Sequence, residues 1–196
     1  MSIKIISETR DFSLWGVVDL YSSVEEFISR DLKNGSITIN DELPIDLYLD
    51  IKKGMPIVFF FNGAIPRTES LKLPVFAGLG IVPSGDVSRV YLNDPSLYIS
   101  NNFALAWYSG SKNQPLQKIY PEILRKIITY AGSQKVIFLG GSGGGFASLY
   151  YSLLFEGSLA IAWNPQTNIL NYLPSAVAKY GNSAFKISNY DSTIKY

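Results

Sequence analysis

The residue whose surroundings best suit chemistry is Ser142, inside the run Gly140-Gly141-Ser142-Gly143-Gly144-Gly145. The run fits G-x-S-x-G, a pattern in which a serine occupies a strained strand-to-helix turn and its hydroxyl stands clear of the sheet. Glycines on both sides serve that geometry, because side chains there would collide with the strand and the helix that the turn joins. A helix beginning at the serine aims its free N–H groups and the positive end of its dipole at any oxygen beside Ser142, which stabilises an oxyanion. The chemistry implied is acyl transfer through a serine nucleophile. The same residues also read as an ordinary glycine-rich turn with Ser142 as a helix N-cap.

Two phosphate-binding alternatives fail on register. A dinucleotide fingerprint needs glycines at i, i+2 and i+5, but the third place falls on Phe146 or Ser148. A P-loop needs Lys and then Ser or Thr after its last glycine, whereas Gly145 is followed by Phe146 and Ala147. One count bears directly on the serine. The chain has no histidine, and the base that takes a serine proton in most serine hydrolases is an imidazole held by a carboxylate.

The elements that must position Ser142 are legible on either side of it. Residues 136–139, VIFL, form an apolar run suited to a parallel strand buried on both faces. After the glycines, Phe146, Leu149, Tyr150 and Leu153 recur with helical spacing. Residues 55–61, MPIVFFF, predict a second buried strand running into Asn62-Gly63, which reads either as a plain turn or as a loop donating an oxyanion N–H. Residues 158–163 predict the next parallel strand. It ends in Asn164-Pro165-Gln166, at the edge where open α/β sheets place ligands, so Asn164 and Gln166 are candidate substrate contacts. Asn62 and Trp107 are further candidate contacts, with core filling as the alternative for the tryptophan.

Elsewhere, residues 4–7 and 14–20 predict a hairpin, and 37–40, 45–51 and 88–92 further strands, with Asp46, Tyr48 and Asp50 on a wet face. A helix is predicted from a capping box at Ser22 and Ser23 to the Asn34-Gly35 stop, another from Pro121 to Gly132, and a weak one over 170–180. Residues 71–83, broken by Pro74, Gly78, Gly80 and Pro83, are expected to wander over the sheet top, and Asp94 reads as a turn former or a site residue. The expected organisation is a single domain over 1–196. Residues 1–44 form an N-terminal extension, 45–180 the core and 181–196 a polar tail.

Seventeen basic and sixteen acidic residues, unclustered, give no electrostatic footprint for nucleic acid or anionic lipid. No cysteine is present, so no thiolate metal site exists, and no cofactor or metal is expected. The N-terminus lacks the apolar region of a signal peptide and no apolar stretch has membrane-spanning length, from which a cytoplasmic location is expected.

Together, the buried strand with Asn62-Gly63, the strand, GGSGGG turn and helix around Ser142, and the strand that follows resemble the α/β-hydrolase superfamily. More narrowly, LNDPSLYI, LAWYSG, IFLGGSGGGFASL and AWNPQTNI are similar to hydrolase-like proteins encoded with bacterial capsule and surface-glycan pathways. They are distantly similar to accessory secretion proteins that O-acetylate glycans. The resemblance implies an α/β three-layer sandwich with a mostly parallel central sheet, an antiparallel N-terminal edge and an incomplete C-terminal part. It implies Ser142 as nucleophile, the backbone of Gly143 with Gly63 or Ala64 as oxyanion donors, and a small-molecule or glycan acyl substrate. In that superfamily an acid and then a histidine follow the serine, but here only Glu156 and Asp191 carry carboxylates beyond it. Glu156 falls near the far end of the serine's own helix, which leaves Asp191 as the acid. The missing base implies a chain cut short, a partner chain or second copy that completes the site, or a non-catalytic binding domain.

Overall fold

The computed structural model describes residues 10–83 and 85–187. Seven strands form one sheet: β1 (Val18–Tyr21), β2 (Gly35–Ile39), β3 (Ile45–Asp50), β4 (Ile57–Phe61), β5 (Ser88–Leu92), β6 (Val136–Gly141) and β7 (Leu159–Trp163). Their order is β1-β2-β3-β5-β4-β6-β7. β4 runs parallel to β5 and β6, and β6 to β7, while β3 is antiparallel to both β2 and β5. The sheet is therefore mostly parallel with antiparallel pairing toward its N-terminal side, as the sequence predicts. β1, at that edge, pairs parallel with β2; residues 4–7, read as its hairpin partner, lie outside the described residues.

Strand alternation sorts the two faces. Ile57, Phe59 and Phe61 of β4 join Val90, Leu92 and Phe138 in the larger core, covered by α1 (Val24–Ser29), α2 (Leu116–Ala131) and α3 (Ser142–Ser152). Val58, Phe60, Tyr91 and Leu139 face the other way, against Phe76, Val82 and Trp15. The third layer is thus irregular backbone. Residues 71–83 begin at the sheet top, where the Asn93 side chain accepts from the Val75 N–H at 3.1 Å, and then descend over this second face instead of staying at the top. Handedness explains the division. The β4-to-β5 connection moves toward β3, whereas β5-to-β6 and β6-to-β7 move the opposite way, so right-handed crossovers must pass over opposite faces. The reversal leaves a crevice at the carboxyl ends of β4 and β6.

Several boundaries differ from expectation for tertiary reasons. The capping box forms: Ser23 Oγ accepts from the Glu26 N–H at 3.2 Å, and the Glu26 carboxylate accepts from Ser22. The helix nevertheless stops at Ser29, because the chain must turn back early to begin β2 at Gly35. α2 starts at Leu116, ahead of Pro121, and the proline ring is buried within the apolar stripe with Tyr120, Ile123 and Leu124; Gly132 closes the helix in a left-handed conformation (φ +63°). The predicted wet face of β3 is dry at Asp46, which is fully buried and accepts from Arg10, from Thr38 Oγ1 at 2.7 Å and from Tyr98. The helical run over 170–180 resolves into a 3-10 turn and α4 (Pro174–Tyr180). No helix among the described residues is long and apolar enough to cross a membrane.

Among the described residues β7 is the last strand of the sheet, and Leu159, Ile161 and Trp163 on one of its faces are 55%, 44% and 48% exposed. Ala160 and Ala162, on its other face, admit α3 closely.

Asp94, after β5, is a buried tie. Its carboxylate accepts from the N–H groups of Ser96 (3.0 Å) and Tyr108 (2.7 Å), which pins the 105–110 loop above the sheet. Burial outweighs these two donors and holds the carboxyl up at about 6. A carboxyl with a raised folded pKa favours the fold in its protonated form, so its contribution is complete below the unfolded value near 3.8 and is lost as pH rises through about 6. Asp94→Asn should therefore flatten the pH dependence of urea stability between pH 4 and 7, removing a decline of about 3 kcal/mol. Parallel pH profiles for the variant and the wild type would contradict this.

Candidate active site

Ser142 opens α3 with φ +53°, in the left-handed region. For an L-residue that conformation costs about 1–2 kcal/mol. Gly141, extended at φ −113°, is the helix N-cap, and no side chain caps the helix. Ser142 is therefore not a capping serine: its hydroxyl stands beside the uncapped end of α3, whose first N–H groups, that of Gly143 included, lack intrahelical partners.

The glycines are explained by what touches them. A Cβ on Gly141 would enter the Trp163 indole, and one on Gly144 would lie 2.7 Å from the Asn62 carbonyl oxygen. A Cβ on Gly63 would lie 3.1 Å from the Gly141 carbonyl oxygen and 3.6 Å from Ser142 Cβ. The end of β4 thus meets the serine turn and the start of α3 backbone to backbone, and the Trp163 indole covers Gly141 from β7. Gly63, named from the sequence as an oxyanion donor, lies directly against the serine turn, and Ala64 follows it, exposed.

One polar chain reaches the hydroxyl. Trp107 Nε1 donates to Gln166 Oε1, and Gln166 Nε2 donates to Ser142 Oγ at 3.1 Å. The Gln166 backbone N–H also donates to the Ser142 carbonyl at 3.2 Å. An indole nitrogen only donates, so the amide oxygen must face Trp107 and the NH2 must face Ser142. Gln166 is consequently a donor to Oγ and cannot take its proton.

Trp107 reaches this position through strained backbone. Trp107 and Tyr108 are both left-handed, at φ +57° and +55°. Asp94 holds the Tyr108 N–H, the Tyr108 hydroxyl donates to the Leu92 carbonyl (2.9 Å) and accepts from the Asn62 N–H (2.7 Å), and Tyr151 donates to the Tyr108 carbonyl (2.9 Å). Burial raises the phenols of Tyr108, Tyr120 and Tyr151 well above their ordinary pKa, so all three stay neutral. Rings of Tyr180 and Tyr172 flank Trp107 at 5.5 and 5.8 Å.

The other predicted residues divide sharply. Gln166 is at the serine. Trp107 is 1% exposed and acts through Gln166, not on a ligand. Asn62 is buried, its amide donating to the Val75 carbonyl and accepting from the Ala77 N–H (2.9 Å), so it holds the 75–77 backbone against the end of β4. Asn164 is exposed at the end of β7 in a left-handed turn (φ +36°). Glu156 is exposed beyond α3, and Asp191 lies outside the described residues. An apolar cavity of about 160 Å³ opens beside Phe146, Val177, Tyr180 and Phe185, one turn along α3; Ser142 does not line it.

The strain at Ser142 is measurable by comparing two substitutions that both delete the hydroxyl. At an ordinary helix start Ser142→Gly would be no more stable than Ser142→Ala, but in left-handed backbone glycine relieves the Cβ clash. Ser142→Gly should unfold at higher denaturant than Ser142→Ala, by about 1 kcal/mol. The reverse order would place the residue in ordinary helical backbone.

No family model matches the sequence, and no curated protein matches it. Among solved structures the chain is similar to the capsule O-acetyltransferase of Neisseria meningitidis serogroup A in complex with caged gadolinium, at 15% identity and a TM-score of 0.51, over 79% of this chain and 62% of that one. A second structure of that acetyltransferase matches at 15% identity and 0.51, over 76% and 58%. Pyrococcus horikoshii acylaminoacyl peptidase matches at 17% identity and 0.49, over 72% and 24%. At such identities the likeness is one of fold, and the chain spans about three-fifths of the length of the acetyltransferase structures. The strand order, the antiparallel N-terminal side and the serine turn together make this an α/β-hydrolase-like fold.

Proposed function

We propose that the chain is the serine-bearing part of an acyl hydrolase or acyltransferase, of the esterase or O-acetyl type, acting in surface-glycan metabolism. The observation that carries this is the left-handed Ser142 at the head of an uncapped helix, with Gly63 packed against it. In this proposal Ser142 Oγ attacks the acyl carbon, and the charge that develops on the carbonyl oxygen is met by the N–H of Gly143 with that of Gly63 or Ala64. The acyl group then passes to water or a sugar hydroxyl. The acetyltransferase likeness in fold agrees with O-acetyl chemistry but bears on the glycan only by analogy.

The base is missing from this chain, which has no histidine. In this proposal the base comes from outside these 196 residues, on further chain or on a partner polypeptide. The bare β7 edge with Leu159, Ile161 and Trp163, beside the loop carrying Gln166, offers it a place.

A non-catalytic binding domain is the competing proposal, favoured by one specific observation: the group bonded to Ser142 Oγ is a donor where a base would be an acceptor. The two are separated by a fluorophosphonate probe and by p-nitrophenyl acetate. The serine proposal predicts covalent labelling of the wild type that is lost in Ser142→Ala, with slow ester turnover that falls by at least tenfold in the same variant. A residual rate without the base is expected from oxyanion stabilisation alone. An unlabelled, folded wild type would favour the binding domain.

A further inference from the structure

We infer that Gln166, held by Trp107, is a catalytic residue in its own right: a fixed side-chain donor that stabilises negative charge on Ser142 Oγ, with Trp107 as its positioning residue. The inference rests on the serine proposal above and deepens it. It begins with direction. The indole N–H cannot accept, so the amide between Trp107 and Ser142 has one orientation, and each bond in the chain donates toward Oγ. The bond from the Gln166 backbone N–H to the Ser142 carbonyl fixes the same residue a second time. Trp107 is itself locked by Tyr172, Tyr180 and the Asp94 tie on its neighbour. A donor this constrained needs no reorganisation when charge appears.

The consequence for chemistry follows from the lone pairs of the hydroxyl. One accepts from Nε2, and the other is left for an electrophile, with the proton directed away from Gln166. When Oγ attacks an acyl carbon, the new C–O bond forms, the carbonyl π pair moves to the carbonyl oxygen, and the Oγ proton passes to hydroxide or to a base from a partner. Hydrogen bonding to the deprotonated form favours that form, so Nε2 assists as the proton departs. On deacylation water or a sugar hydroxyl forms the new bond to the acyl carbon and gives its proton to hydroxide or the base. The C–Oγ bond breaks, and Oγ leaves with the electron pair, is met by the same donor and takes back a proton from solvent or the base. Gln166 thus serves a different oxygen from the backbone donors of Gly143 and Gly63.

The test is the second-order rate of fluorophosphonate labelling from pH 5 to 9. In that reaction the Oγ–P bond forms, fluoride leaves with its electron pair, and the proton goes to hydroxide. Gln166→Ala should slow labelling by about tenfold to a hundredfold, the loss expected for a hydrogen bond to a charged oxygen. Trp107→Phe, which keeps a ring but no donor, should slow it less, and adding it to Gln166→Ala should slow it no further, a non-additivity that general loosening of the loop would not produce. Gln166→Glu reverses the polarity: a carboxylate accepts from both the indole N–H and the serine O–H, so the profile should gain a rise as that carboxyl ionises. The titratable groups packed on the chain are the phenols of Tyr172 and Tyr180 and, through the Tyr108 N–H, the Asp94 carboxyl held at about 6. Any step from Asp94 is shared by the wild type and the variant, so the added rise is read as the difference between the two profiles. Thermal melts establish that each variant is folded. Labelling of folded Gln166→Ala at the wild-type rate, or equal and additive losses from both substitutions, would overturn the role of Gln166 and leave the serine proposal standing. Absence of labelling in the folded wild type would instead remove the serine proposal, and this role with it.

Discussion

The structure depends on one local constraint: the end of β4 meets the serine turn and the first turn of α3 backbone to backbone. Gly63 lies against the Gly141 carbonyl and Gly144 against the Phe61 and Asn62 carbonyls, while the side chains of Trp163 and Leu105 occupy the space over Gly141 and Gly143. At this junction the serine lies in left-handed backbone, half-buried, with its hydroxyl accepting from Gln166. The cost, about 1–2 kcal/mol, is one the surrounding contacts must offset. Rings beneath the junction help to do so, with Phe61 stacked 5.5 Å from Tyr151 and edge-to-face 4.9 Å from Tyr108. Each fully buried aromatic contributes about 1.5–3 kcal/mol by removal from water.

Topology converts this packing constraint into a site. Because the chain reverses its direction of travel across the sheet after β5, β4 and β6 become neighbours whose outgoing loops diverge. The crevice between them holds Gly63 on one side and Ser142 on the other. The 105–110 loop comes from a third direction, tied down by Asp94 and Tyr108, and delivers Trp107 to Gln166. Two carboxylates thus shape the upper surface from below. Asp94 fixes the loop, and Asp46, with Arg10, Thr38 and Tyr98, fixes the turn at Pro95–Tyr98. Neither reaches the serine hydroxyl.

Local signals made the serine turn readable from the sequence. A period-2 or unbroken apolar run, a knot of glycines and a helical stripe are properties of adjacent residues, so β4, β6, α3 and the turn at Ser142 could be placed without coordinates. What escaped the sequence was set by distant partners. Nothing in AWYSG announces two consecutive left-handed non-glycine residues, because the Asp94 carboxylate that stabilises them is 14 positions away. Asn62 and Gln166 looked alike as polar residues at strand ends, yet one bonds the Val75 and Ala77 backbone and the other bonds the serine. Pro121 is a good helix opener in isolation, but burial of its ring within the α2 stripe allowed the helix to begin earlier. Composition likewise could not tell that the apolar run of β7 would end the sheet with a bare face, since an edge is defined by what lies beyond it.

The central claim is geometric: Ser142 stands in left-handed backbone at the crevice, its Oγ accepting from a Gln166 amide whose oxygen faces Trp107. A high-resolution crystal structure of the chain measures this most directly. It should show a positive φ at Ser142, with Oγ within hydrogen-bond distance of Gln166 Nε2 and open to the crevice on its other side. Ordinary helical backbone at Ser142, or an Oγ turned into the interior and bonded to buried backbone, would contradict the account.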